Sequence, residues 1–179
     1  MKKFCLLTLL CPLLSLAQTG PLTVGDSLPP GVIARIPIGG AQAAPDAITI
    51  LDFWASWCGS CSKGIAKLDT LAGVFGNQLD VVLVNSHHTG DDRDKVEKYK
   101  SFYIGRYGRR VPFPILLADS IFLELFPHKY IPHYVWLQHG RVRAITSWRE
   151  VNRENIEAVL RDPTFQLRNV AAESTGSAH

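Results

Sequence analysis

The chain has 179 residues, enough for one domain with a sizeable core and too few for two comfortable ones. Its formal net charge of +3 includes Lys2 and Lys3; without the first 17 residues, 17 basic side chains stand against 16 acidic ones. That balance makes no case for nucleic acid or an acidic partner, and Arg106, Arg109 and Arg110 read as a solvated loop.

Lys2 and Lys3, the apolar residues 4–14 and the small-x-small run Ser15-Leu16-Ala17 have the pattern of a secretory signal spanning residues 1–17. The apolar stretch is shorter than the roughly 20 residues a membrane span needs, and Pro12 would break a buried helix there. Cys11 raises lipoprotein anchoring as a minor alternative, but Leu10 stands where a lipidation site wants a small residue. Cleavage removes Cys5 and Cys11 and leaves Cys58 and Cys61. The mature chain is then expected in an oxidising compartment, the periplasm, with a single possible intramolecular disulfide. A bridge over so short a loop constrains the unfolded chain little, which makes it a poor structural staple.

Residues 18–47 are rich in Gly, Pro and Ala and read as an extended leading segment, with one edge strand expected in the apolar patch 32–38. "ITILDFW", 48–54, is a near-continuous apolar run of strand length, of the kind buried on both faces in a parallel sheet. After the cysteines, Ile65, Leu68, Leu71, Ala72 and Phe75 recur at helical spacing, and Gly76-Asn77 ends the helix. "DVVLVNS", 80–86, is a second buried-type strand, completing a βαβ unit. Asp91 or Asp92 caps a polar helix carrying Val96, Tyr99 and Tyr103 on one face. "PILLADS", 114–120, is a third strand, followed by a short apolar helix over 121–126. "HYVWLQHGRVRAIT" reads as two strands joined at His139-Gly140, and Asn152 opens a last helix with Ile156 and Leu160 on its apolar side. One domain over 18–162 and a disordered tail over 163–179 follow.

Cys58 sits at the step from strand to helix, where unpaired N–H groups and the helix dipole favour a thiolate. Cys61 lies one turn on, and Trp57 offers an apolar face beside the sulfur. Such a pair can exchange disulfides: one thiolate attacks, a mixed disulfide forms, and the second thiol resolves it. Asp52 within "ILDFW" is costly to bury, so its pKa is expected to rise.

"DFWASWCGSC", with its CxxC between an apolar strand and an amphipathic helix and an Ile-Pro about seventy residues later, resembles the active-site segment of the thioredoxin superfamily. The wording "FWASWC" and the secretory start are similar to its TlpA-like branch of thiol-disulfide oxidoreductases, over about residues 24–160. The resemblance implies an α/β thioredoxin fold: a central mixed sheet flanked by helices, with a βαβ half and a C-terminal hairpin plus helix. It implies Cys58 as nucleophile, Cys61 as resolving thiol, Asp52 as the acid that helps deprotonate Cys61, and Trp57 as the flanking aromatic. Ile131 and Pro132 occupy the place of the family's cis-proline loop, where the backbone of Ile131 would meet a substrate peptide. It implies no cofactor. The expected partners are exported proteins with disulfides or thiols and a membrane-linked thiol electron donor, with the chain acting as a monomer.

The departures matter. Gly59-Ser60 stands between the cysteines where many relatives have Gly-Pro, and Gly64 and Ala66 stand where many TlpA-like chains have Glu and Pro. Residues 87–112 are long for a strand connection and could carry a partner-specific surface. Two other readings remain open at this point. Cys58 and Cys61 with two of His87, His88, His128 and His133 could form a zinc or copper site, although the two-residue spacing favours redox chemistry. Alternatively, the fold could serve as a binding module with the disulfide only a sensor.

Overall fold

The computed structural model describes residues 20–37 and 44–170. The signal segment 1–17, residue 38 of the expected edge strand and the tail residues 171–179 lie outside the described residues. Five strands form one mixed sheet: β1 (Ile48–Phe53), β2 (Leu79–Ser86), β3 (Ile115–Asp119), β4 (His133–Gln138) and β5 (Arg141–Thr146), in the order β3-β2-β1-β4-β5. β1 pairs parallel with β2, and β2 with β3; β4 runs antiparallel to β1 and to β5. With helices on both sides this is the α/β thioredoxin fold.

Two crossovers build the first half. Helix α2 (Gly59–Phe75) links β1 to β2 and α3 (Arg93–Tyr107) links β2 to β3. Parallel connections in one sheet share a right-handed sense, so successive crossovers moving the same way cover the same face. Accordingly Ile65 and Leu68 of α2, and Val96, Tyr99 and Tyr103 of α3, share one core with Ile50, Trp54, Val81, Leu83 and Trp136, and α5 (Arg153–Arg161) adds Ile156 and Val159. Residues 87–112, long for a connection, are thus largely a crossover helix. The other face carries Leu51, Phe53, Val82, Val84, Val135 and Leu137 under α4 (Ile121–Leu125) and the leading segment. The period of two along each strand assigns alternate residues to these two cores.

The helix ends follow from local chemistry. Asp92 caps α3 by accepting the Lys95 N–H at 2.8 Å, and Asn152 caps α5 by accepting that of Asn155 at 2.9 Å. Helix α2 stops at Gly76, whose φ of 55° suits a residue without Cβ. The β4–β5 hairpin turns through His139 and Gly140, both at positive φ, as a two-residue loop matching the strand twist requires.

Three expectations are corrected. The described part of the patch, 32–37, does not supply an edge strand: Pro30 stands at the first helical position, and Pro30–Ile33 forms the short helix α1. The edge pairing comes from just before it, where Ser27 bridges Arg141 and Gly25 and Leu28 donate to the carbonyls of Val142 and Gly140. Residues 163–170 do not begin a disordered tail. Leu167 is buried, Val170 donates to the Ile145 carbonyl, and the Ile145 N–H donates to Asn169 Oδ1. The two end segments therefore occupy successive stretches of β5, an edge otherwise open to further strands. Arg109, read as solvated, is ion-paired with Asp69 at 2.8 Å.

Candidate active site

Where β1 ends, Trp54 and Ala55 are fully buried, and the chain turns out to solvent through Ser56 and Trp57 before Cys58 caps α2. Cys58 and Cys61 form a disulfide with their Cα atoms 5.3 Å apart. The Cys61 N–H donates to Cys58 Sγ at 3.2 Å, and Ser60 Oγ lies 3.4 Å from the same sulfur. Helix N-terminal donors thus face Cys58, the arrangement that stabilises negative charge there. The two sulfurs differ in access: Cys58 is 7% exposed and Cys61 0%. The residual opening at this pair therefore lies on the Cys58 side.

The loop before Cys58 is tied down from behind. Asp91 accepts the Ser56 N–H at 2.7 Å and the Ser56 hydroxyl at 2.6 Å, and its Oδ2 also accepts from Asn85 Nδ2 at 2.7 Å. Asn85 in turn accepts from Thr89 Oγ1 at 3.0 Å, and Trp57 Nε1 donates to the Thr89 carbonyl at 3.0 Å. The indole of Trp57 remains 66% exposed. Sequence reading offered Asp91 and Asp92 as alternative caps. The structure divides them: Asp92 caps, and Asp91 holds the loop. The signal was the pair itself, since one helix needs a single cap.

Asp52 is fully buried in mid-sheet, and neither carboxyl oxygen has a hydrogen-bond partner. Burial pushes its pKa well above the ordinary carboxylate value. Its alternate neighbours Ile50 and Trp54 belong to the core that holds Cys61, which puts the carboxyl on the α2 side of the sheet. Tyr134, its partner in register on β4, is also buried, and its phenol is pushed up by burial and by Asp52.

The Ile131–Pro132 peptide bond is cis. Pro132 and Tyr134 line a groove of about 360 Å³ together with Ser60, so the proline loop and the start of α2 face one concavity. Ile131 packs against both cores. Gly64 has a reason to lack a side chain, since a Cβ there would run into the Tyr134 hydroxyl. The position is a close approach of helix to sheet.

The histidines proposed as metal ligands go elsewhere. His128 and His133 stack with ring centroids 4.7 Å apart, both against Phe53 at 4.6 and 5.6 Å, and His88 lies 5.8 Å from His128. Phe53 belongs to the core opposite the cysteines. Burial lowers both imidazoles, His133 to about 3, with His128 adding to the shift. Among the described residues no group of three His, Cys, Asp or Glu is placed to hold a metal ion.

The thioredoxin family model matches residues 41–112. Thioredoxin-1 of Drosophila melanogaster is 29% identical over 72 residues, which are 39% of this chain and 67% of that protein. Among solved structures, a thioredoxin-like protein in the oxidised form aligns over 80% of this chain and 94% of its own, at 20% identity and a TM-score of 0.54. The reduced N-terminal domain of PilB from N. meningitidis aligns over 70% and 87%, at 24% identity and a TM-score of 0.51. Both show the fold. The family model covers 72 of the 179 residues, and over that stretch, which includes the Cys58–Cys61 disulfide, the chain is similar to thioredoxins.

Proposed function

We propose that this chain is a TlpA-like thiol-disulfide oxidoreductase that acts on exported proteins as a reductase or isomerase. The observation that carries the reading is the asymmetry of the two cysteines: Cys58 caps α2 and keeps a small exposure of 7%, while Cys61 has none. In the dithiol form the Cys58 thiolate attacks a partner disulfide. That S–S bond breaks, one partner sulfur leaves as thiolate, and the other is bound to Cys58. Cys61 then gives up its proton and attacks Cys58 Sγ, expelling the second partner sulfur. Two electrons have passed to the partner, and the Cys58–Cys61 disulfide is restored.

Asp52 is the group we assign to the second step, accepting the Cys61 proton in a site without competing water. Trp57, Ile131 and Pro132 form the surface on which the partner rests. A thiol reductant linked to the membrane returns the electrons. Among the described residues no helix is long and apolar enough to cross a membrane.

The test is reduction of insulin with dithiothreitol as electron source. The wild-type protein should accelerate it and Cys58→Ser should not. A wild-type rate no greater than dithiothreitol alone would leave the fold as a binding module. Export is tested separately: the mature protein recovered from cells should begin at Gln18, and retention of residues 1–17 would contradict it.

A further inference from the structure

We propose that the groove beside the sulfurs reads charge: it receives an extended segment of the disulfide-bearing partner whose carboxylates meet Lys63 and Lys67. The inference rests on the oxidoreductase reading and adds to it a class of preferred substrate.

The groove opens at Ser60, whose hydroxyl lies 3.4 Å from Cys58 Sγ, so it is continuous with the reacting sulfur. Pro132, Tyr134 and Val151 give it an apolar lining, and Trp148, 56% exposed, forms a wall. Trp57, Tyr130 and Trp148 are each more than half exposed and stand beside Cys58, beside Pro132 and in the groove respectively. Scattered exposed apolar residues need no explanation. An exposed Trp148 that lines the groove and an exposed Trp57 next to Cys58 do, and a partner chain that covers them supplies it.

Charge identifies that partner. Lys63 and Lys67 line the groove, one helical turn apart on the exposed side of α2. Among the described residues neither has a carboxylate partner, whereas Lys100, Arg109, Arg153 and Arg161 are all ion-paired. The Arg149 guanidinium sits 5.8 Å over the Trp148 ring and adds positive charge at the rim. Glu150, the nearest acid in sequence, accepts from the Ser147 hydroxyl instead. Two lysines without a carboxylate partner therefore stand where a partner must pass.

The spacing sets the motif. One turn of helix is about 5.4 Å, close to the roughly 6.6 Å between residues i and i+2 of an extended strand. The run from Cys58 to Lys63 covers about 7.5 Å and that to Lys67 about 13.5 Å, or some two and four extended residues. Acidic side chains two and four positions from the attacked cysteine match the two lysines. Exposed pairs of this kind contribute little affinity each, so the selection should appear as a salt-sensitive rate.

The test uses short glycine-rich peptides whose single cysteine is disulfide-bonded to 2-thiopyridine, with Glu, Gln or Lys at positions two and four from it. Reduced, desalted protein attacks the peptide sulfur, thiopyridone leaves, and Cys61 then displaces the peptide thiol; thiopyridone absorbance gives the rate. The Glu peptide should react about three- to tenfold faster than the Gln peptide at low salt, and the Lys peptide more slowly. The advantage should fade in 0.5 M NaCl, as screening requires, and Lys63→Glu/Lys67→Glu should reverse the order. Both positions are exposed, so the double variant should fold. Because each comparison is a ratio on one protein, any change in Cys58 reactivity cancels. Equal Glu and Gln rates, or a Glu advantage that survives the charge reversal, would overturn the groove proposal alone. No reaction with any peptide would overturn the oxidoreductase reading and this one with it.

Discussion

Asp52 and Tyr134 stand opposite each other across the antiparallel pair β1–β4, and the Asp52 carboxyl reaches no hydrogen-bond donor there. A sheet centre that is otherwise apolar keeps an acid whose charged form it disfavours. With the folded pKa raised, Asp52 favours folding while protonated. That contribution is complete below the unfolded pKa and is lost as pH rises through the folded one, at about 1.4 kcal/mol per pH unit in between. Asp52→Asn should therefore raise stability at neutral pH in chemical denaturation. It should also slow resolution of the mixed disulfide several-fold, read as a longer-lived Cys58 adduct. Loss of stability, or unchanged resolution, would remove Asp52 from the chemistry.

The stacked histidines carry the opposite sign. Burial holds His133 near 3, so its unfolded form takes up a proton below about 6.5 that the folded form refuses. Stability is full above that value and falls with acid. Lowering pH from 7 to 5 should cost about 2 kcal/mol through this one group. His133→Phe keeps a ring against Phe53 and His128 and should flatten that slope by this amount relative to wild type. A parallel pH profile in the variant would show that His133 titrates freely.

Asp91 holds the active-site loop by accepting both Ser56 donors and Asn85. Asp91→Ala leaves both Ser56 donors without a partner in a part-buried site, and Asn85 with only the Trp54 carbonyl, at a cost of about 2–3 kcal/mol. Insulin reduction should slow as the Ser56–Cys58 loop loosens, and Asp91→Asn should recover part of both losses. Full activity in Asp91→Ala would mean that the loop is held by α2 and Trp57 alone.

Gly64 and Tyr134 make a contact that can be tested as a pair. Alanine in a helix is favoured over glycine by about 1 kcal/mol, yet Gly64→Ala should destabilise, because its Cβ meets the hydroxyl of the buried Tyr134 ring. Removing that hydroxyl with Tyr134→Phe should rescue the double variant to at least the stability of Tyr134→Phe alone. Additive losses in the double-mutant cycle would contradict the contact.

The sheet strands, the two crossover helices and the CxxC at the strand–helix step were legible because each rests on local pattern: apolar runs, helical spacing, caps and a hairpin turn. Other features depend on which segments the topology brings together. Nothing near His128 points to His88 or His133 until β4 returns beside β1. Lys63 and Lys67 look like an ordinary solvated helix face until Trp148, some eighty residues later, closes a groove against them. Leu167 carries no periodicity, so its burial beside β5 could not be read. Asp52 was the reverse case: a charge in an apolar run stood out in sequence, and the structure finds it buried and unpaired.

The central claim is that Cys58 attacks and Cys61 resolves, and the most direct measurement is the order of alkylation in the reduced protein. Limiting iodoacetamide near neutral pH, followed by peptide mass analysis, should find Cys58 modified at least tenfold faster, since it alone is reachable and faces the helix N–H groups. Cys61 reacting first, or at an equal rate, would contradict the assignment of the two sulfurs.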